Sequence, residues 1–340
     1  MRGIENFLHR LHDPFTLVLS LKERKLNRSF LALLTAFWLL PPVGTVSAAE
    51  IASQPASAVQ QLLLDVASAG PRLVAVGERG RILLSTDAGL RWSPASAPGK
   101  ATLTAVHFHD DQHGWAVGHD AVILRTDDGG LTWALVHQAP EERKPLLDVW
   151  FENLRHGFAV GAYGLALETR DGGRRWQRRT LLPDDMHLNA IAGGPRGRIY
   201  VAGEAGTLLR SDDTGSTWRK LPSPYPGSFF GVLRLPDGNP LIFGLRGKAF
   251  RSPDGGKRWL PIATHGETTL QGGSVLADGN IVLVGNDAKV LISHDGGRRF
   301  TAPQHGLRQA FAAVAESGGA LVLVGERGVE VLPRVEEGAR

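Results

Sequence analysis

The chain has 340 residues, 42% of them hydrophobic, with 42 glycines, 20 prolines and a formal net charge of +4. That balance excludes a disordered polymer and points to a folded core crossed by many tight turns. There is no cysteine, so disulfides, thiolate metal sites and cysteine nucleophiles are excluded.

In chain order, Lys22, Arg24, Lys25 and Arg28 precede the apolar run FLALLTAFWLL (30–40), and Pro41, Pro42, Gly44 and VSAA (46–49) follow. A basic region, a short apolar run and small residues at a cleavage site predict a secretory signal over 1–49, cut after Ala48 or Ala49. The run is too short to span a bilayer comfortably, and an uncleaved anchor is the alternative. Six of the 38 basic and three of the 34 acidic residues lie in this leader, which leaves 32 and 31 and a net charge of +1. Nucleic-acid binding needs a concentrated positive excess, so no nucleic-acid partner is expected.

Beyond the leader one eight-residue pattern recurs six times: STDAGLRW, TDDGGLTW, TRDGGRRW, SDDTGSTW, SPDGGKRW and SHDGGRRF. Each copy pairs an aspartate with a closing aromatic: Asp87 and Trp92, Asp128 and Trp133, Asp171 and Trp176, Asp213 and Trp218, Asp254 and Trp259, Asp295 and Phe300. The aromatics are spaced by 41, 43, 42, 41 and 41 residues. A second marker runs in phase, a glycine closing an apolar stretch at Gly77, Gly118, Gly161, Gly203, Gly244, Gly285 and Gly325. Each unit reads as four short strands; in the second they are LTAVHFH, GWAVG, AVILRT and WALVH. A period in the low forties built from such strands predicts an all-β, seven-bladed propeller of four-stranded antiparallel blades over 59–332. The last unit lacks a box and a fourth strand. Residues 50–58 are expected to supply that strand and latch the ring, and 333–340 read as a charged tail.

The box falls where the third strand must reverse into the fourth. Its aspartate can accept bonds from the turn's own backbone, its glycine can take positive φ, and its aromatic can wedge between sheets. Six copies at one structural place indicate a fold device, and six ligand sites are the alternative.

These boxes resemble the Asp-box, or neuraminidase-type, repeat. The longer stretch VGERGRILLSTDAGLRW (76–92) resembles the photosystem II stability/assembly factor family of seven-bladed propellers, and the resemblance covers roughly 59–332. It implies a non-enzymatic chaperone on the lumenal or periplasmic side that holds a membrane subunit during assembly. Relatives of the family also occur in bacteria that do not photosynthesise. A membrane protein or membrane-complex subunit is therefore the expected partner. No cofactor, metal or small-molecule substrate is expected, and the chain is expected to be a monomer in the periplasm, peripheral to the inner membrane.

Sialidases and some glycosidases carry the same box, so an Asp-box hydrolase or carbohydrate-binding propeller is the alternative, with a transporter accessory as a third reading. Catalysis would need an arginine clamp with a Tyr–Glu pair, or two carboxylates across a cleft. Tyr163, Tyr200 and Tyr225 stand in no such motif. His107 and His109 share one strand face as a metal pair could, but the simpler reading is polar-edge histidines beside a turn.

What remains is a surface. Strand direction alternates, so the turns after the marker glycines lie on the face opposite the boxes. Arg79, Arg246 and Arg327 occupy one equivalent position there, with Arg81 and Lys248 just beyond. The resemblance implies client contact through an arginine-rich patch across the blades. Only three of seven turns match, because Asp120, Tyr163 and Ala205 hold the place in units two to four. Solvated surface arginines are the simpler alternative.

Overall fold

The computed structural model describes residues 54–56, 59–194 and 197–334. The predicted signal over 1–49, part of 50–58 and most of the charged tail lie outside them.

The described chain forms seven antiparallel sheets arranged as a β-propeller. Blade one is β2 (Leu63–Ala69), β3 (Arg72–Gly77), β4 (Ile82–Ser85) and β5 (Arg91–Pro94), with β1 (Gln54–Pro55) outside them. Blade two is β6 (Leu103–Phe108) to β9 (Ala134–His137), and blade three β10 (Leu146–Phe151) to β13 (Gln177–Arg178). Blade four is β14 (Leu188–Gly194), β15 (Arg198–Gly203), β16 (Leu208–Ser211) and β17 (Arg219–Lys220). Blade five runs from β18 (Phe229–Arg234) through β19 (Pro240–Gly244) and β20 (Ala249–Arg251) to β21 (Leu260–Pro261). Blade six is β22 (Leu270–Val275) to β24 (Val290–Ser293), its fourth strand reduced to one bridge, Ile292–Thr301. Blade seven is β25 (Phe311–Ser317), β26 (Ala320–Gly325) and β27 (Gly328–Pro333).

The second strand of each blade is covered on both faces by neighbouring sheets, which is why GWAVG and GFAVG are apolar throughout and fully buried. The glycine closing each of these strands is required by close approach. A Cβ on Gly118 would lie 2.0 Å from the Thr102 carbonyl oxygen, and one on Gly325 2.0 Å from that of Ala310. Opposite the glycine the innermost strand carries a register shift, for example between Leu63 and Asp65, that brings its backbone in.

Polar side chains on the innermost strands lace blades one to five together. The Asp65 carboxylate accepts from the Val66 and Val106 N–H groups, each at 2.8 Å. The Thr104 hydroxyl donates to the Leu146 carbonyl at 2.8 Å, Asp148 accepts from Ile191 N–H at 2.8 Å, and Asn189 donates to the Phe229 carbonyl at 2.8 Å. Later in the ring, between blades six and seven, the equivalent contact is a close backbone approach: a Cβ on Gly272 would meet the Ala312 carbonyl oxygen at 2.1 Å.

Two expectations are corrected. Residues 54–55 do not complete blade seven. They pair with β5 in the register Gln54–Trp92 and Pro55–Arg91, as a fifth strand on blade one, and Ala56 N–H donates to the Leu90 carbonyl at 2.9 Å. Blades seven and one instead meet by apolar packing of Val59, Leu63, Trp92, Val322, Val324 and Val329, because Val59 lies against Gly328 between the two sheets. The tail also starts later than expected, since β27 runs to Pro333 and Arg334 pairs with Glu316 and Asp278.

Candidate functional site: the hairpin-tip face

The two faces of the ring are built from different turns. On one face the second and third strands are joined by two-residue hairpins whose central residues both take left-handed backbone, the type I′ geometry that matches strand twist. In blade one these are Arg79 (φ 57) and Gly80 (φ 68), and Arg81 N–H closes the turn on the Glu78 carbonyl at 3.1 Å. The same first position holds Asp120 (φ 58), Tyr163 (φ 54), Ala205 (φ 50), Arg246 (φ 53) and Asp287 (φ 52). The second residue of the tip is pressed against the chain leading to the next blade. A Cβ on Gly80 would lie 2.8 Å from the Gly99 carbonyl oxygen, and one on Gly247 2.7 Å from that of Gly266. That contact fixes the tip and leaves the first residue's side chain to solvent.

Arg79 and Arg246 therefore stand at equivalent tips, both exposed. Arg327 is also exposed, but in a different turn: Gly325 pairs with Gly328, and the positive φ has moved to Gly328. Its backbone N–H donates to the Gln309 side chain at 2.7 Å. Arg81 and Lys248 follow their tips in extended conformation and are exposed. Among the described residues none of these five basic side chains forms an ion pair.

The face is polarised. At the position of Arg81 and Lys248, blades two to four carry buried Val122, Leu165 and Thr207. Their tips present Asp120, Ala205 and Tyr163, which is 50% exposed and meets His187 edge-on at 4.7 Å. The basic side chains thus stand on blades five, seven and one, with Asp287 at the tip of blade six between them.

The opposite face carries the boxes, and they act as turn devices. In the third, the Thr169 hydroxyl donates to Asp171 at 3.0 Å and accepts from Gly173 N–H at 2.9 Å, while Asp171 accepts from Arg175 N–H at 2.9 Å. The Trp176 indole N–H closes on the Gly173 carbonyl at 3.1 Å. The Ser/Thr–Asp–Gly part of this network recurs in all six boxes. In Asp128, Asp171, Asp213, Asp254 and Asp295 the carboxylate is held below its ordinary range, and Asp213 is pushed down to about 2 by the Thr217 hydroxyl, then by the Thr217 N–H and Ser211. In Asp128 burial works upward but is outweighed by bonds from Thr132 and Thr126.

The aromatics are less uniform than the spacing suggests. Trp92, Trp133 and Phe300 are buried, whereas Trp176, Trp218 and Trp259 are half-buried. The first two have added cover: β1 pairs across Trp92, and Ser96 bridges beside Trp133. In blades three to five the fourth strand has only two residues. Trp259 also departs from the pattern, its indole donating to the Pro222 carbonyl at 2.9 Å.

Many arginines on the box face are spent on the fold. Arg72 donates to the carbonyls of Asp128 and Gly129 at 2.8 and 3.0 Å, and Arg251 to that of Gly296 at 2.9 Å, each tying one blade to the next box. Sequence reasoning missed this role, although Arg125, Arg210 and Arg251 stand in phase one residue before their boxes.

The remaining candidates do not converge. Tyr163 is at a tip, Tyr200 is buried in blade four and Tyr225 is half-buried on the connection from blade four to blade five. His107 lines the central channel and lies parallel to Phe151, with burial pushing its pKa down to about 4, whereas His109 is exposed. Across the channel wall Asp65 and Asp148 are each half-buried, and desolvation raises both to about 7 against the pull of their backbone bonds.

A model of the family described as Photosynthesis system II assembly factor YCF48 matches residues 84–145 and 135–275. The chain belongs to the YCF48 family. Among curated relatives, the photosystem II assembly protein Ycf48 of Thermosynechococcus vestitus is 43% identical over 42 residues, 12% of either chain. The uncharacterized protein YkuO of Bacillus subtilis is 32% identical over 76 residues, 22% of this chain and 25% of that one. The alignments thus span a quarter or less of these relatives. Among solved structures, YCF48 bound to a D1 peptide superposes with a TM-score of 0.68 at 18% identity, covering 85% of this chain and 96% of that one. YCF48 from Cyanidioschyzon merolae gives 0.64 at 15%, covering 82% and 97%. Virginiamycin B lyase from Staphylococcus aureus gives 0.69 at 12%, covering 84% and 99%, so the fold alone is shared with an enzyme.

Proposed function

We propose that this member of the YCF48 family is a non-catalytic, exported propeller that binds and stabilises a membrane-protein client during assembly. The client contacts the basic arc of the hairpin-tip face. One observation carries the reading: Arg79, Arg81, Arg246, Lys248 and Arg327 are exposed and form no ion pair among the described residues, while most arginines of the box face are tied to carbonyls or carboxylates. Guanidinium forks on rigid turns suit carboxylates and carbonyls of a client loop, and a cluster is needed because single exposed pairs contribute little. The solved YCF48 with a bound D1 peptide supports a membrane-protein segment as the ligand class. The predicted leader over 1–49 supports a periplasmic location, peripheral to the inner membrane.

The test is co-purification from solubilised membranes, read by mass spectrometry. A discrete membrane-protein client should be captured, capture should weaken as salt rises, and Arg79→Glu with Arg327→Glu should abolish it. Equal capture by wild type and double variant, insensitive to salt, would contradict the reading.

A further inference from the structure

One place on the box face is not neutralised. Between blades four and five a cavity of about 570 Å³ is lined by Arg198, Arg210, Arg234, Asp212 and Asp237. Three guanidiniums crowd on one carboxylate: Asp212 accepts from Arg210 Nε at 2.7 Å, from Arg198 Nε at 3.1 Å and from Arg219 Nη2 at 3.1 Å. Asp237 is taken by Arg251. The two nearby box carboxylates, Asp213 and Asp254, are occupied by their own turns.

Arg234, at the end of β18, has no counter-charge. It is half-buried, and its guanidinium lies against Gly194, where a Cβ would stand 2.4 Å from Nε and Nη1, and near Gly238. Among the described residues it forms neither an ion pair nor a side-chain hydrogen bond. Three guanidiniums and two carboxylates therefore line the cavity, and Arg219 and Arg251 draw on the same two carboxylates from outside its lining. Behind them the Tyr200 hydroxyl is buried without a hydrogen-bond partner, and it gathers with Arg210 Nη1 and Arg198 Nη1 around Gly255. A half-buried charge lacking a partner is unfavourable until a counter-ion arrives. The free donors come from two blades and several directions, an arrangement that fits a tetrahedral dianion better than one planar carboxylate.

We infer that the cleft between blades four and five binds a phosphate group, held by Arg234 and the free Nη atoms of Arg198, as free phosphate or as a lipid phosphomonoester headgroup. This site lies on the face opposite the basic tips and does not depend on the proposed client contact. The probes are inorganic phosphate, titrated calorimetrically in chloride buffer, and phosphatidylcholine vesicles with and without phosphatidic acid. Wild type should bind phosphate, Arg234→Ala and Arg198→Ala should each weaken binding by about tenfold or more, and Arg234→Lys should retain most of it. Melting temperatures report whether each variant is folded. Sedimentation with phosphatidic acid vesicles that depends on Arg234 assigns the headgroup; binding of free phosphate alone assigns a soluble ligand. No binding of either probe by wild type overturns the inference. So does undiminished binding by folded Arg234→Ala and Arg198→Ala.

Discussion

The two faces of this propeller solve one problem, reversing a strand, with opposite economies of charge. On the box face a buried hydroxyl and an aspartate satisfy the backbone of each turn, and neighbouring arginines are drawn into bonds between blades. On the tip face the type I′ hairpin satisfies itself through its own backbone, so its outward residue is released from structural duty. A face whose side chains are free of the fold can vary from blade to blade, and it does: Arg79, Asp120, Tyr163, Ala205, Arg246 and Asp287 share one backbone conformation. The lesson is that the repeated residues mark architecture and the unrepeated ones at the same address mark the candidate surface.

The comparison can be broken at its most rigid point. Gly118→Ala places a methyl 2.0 Å from the Thr102 carbonyl oxygen, backbone against backbone, and neither strand can yield. It should cost about 3 kcal/mol, measured by denaturant unfolding, and should abolish the tip geometry of blade two.

A smaller effect sharpens the account of the boxes. Thr169 is buried and its hydroxyl satisfies Gly173 N–H, so Thr169→Val should cost about 1–3 kcal/mol by leaving that donor unpaired. Asp171→Ala, nearer to solvent, should cost less. Client capture by the folded fraction of either variant should be unchanged; lost capture at full stability would make the box a binding element.

Acidity separates the channel from the boxes. Asp65 and Asp148 have folded values near 7, above the usual carboxylate range, so their contribution is fully present at low pH and is lost as pH rises through about 7. The box carboxylates Asp128, Asp171, Asp213, Asp254 and Asp295 are depressed, Asp213 to about 2, so theirs is present above the usual range and is lost as pH falls through the folded values. Thermal stability should therefore decline on both sides of a mildly acidic optimum. Asp65→Asn with Asp148→Asn should flatten the alkaline side only, as read from melting temperature against pH.

The architecture was legible because its two markers are short-range. A glycine forced by close approach and a turn closed within eight residues both leave a periodic trace, and together they gave seven blades. The lacing by Asp65, Thr104, Asp148 and Asn189 left none, because each residue bonds to a neighbouring blade some forty positions away and the chemistry changes from blade to blade. The placement of Gln54–Pro55 on blade one was invisible for a similar reason: an edge strand of two residues carries no pattern. The tips were found by counting from the glycines, but the different turn at Arg327 depends on where the positive φ falls around Gly328. The arginine cleft joins residues from two blades, and only the ring brings them together.

The most direct measurement compares two double charge reversals, one on each face, for client capture and melting temperature. Arg79→Glu with Arg327→Glu changes side chains that are exposed and form no ion pair among the described residues. Arg174→Glu with Arg298→Glu changes box arginines that reach only their own turns' carbonyls, at 3.2 and 2.8 Å. The division of labour between faces predicts that the first pair abolishes capture and the second preserves it, with the unfolding free energy of both within about 0.5 kcal/mol of wild type and so little change in melting temperature. Equal capture by both variants, or its loss only in the Arg174 and Arg298 pair, would contradict it.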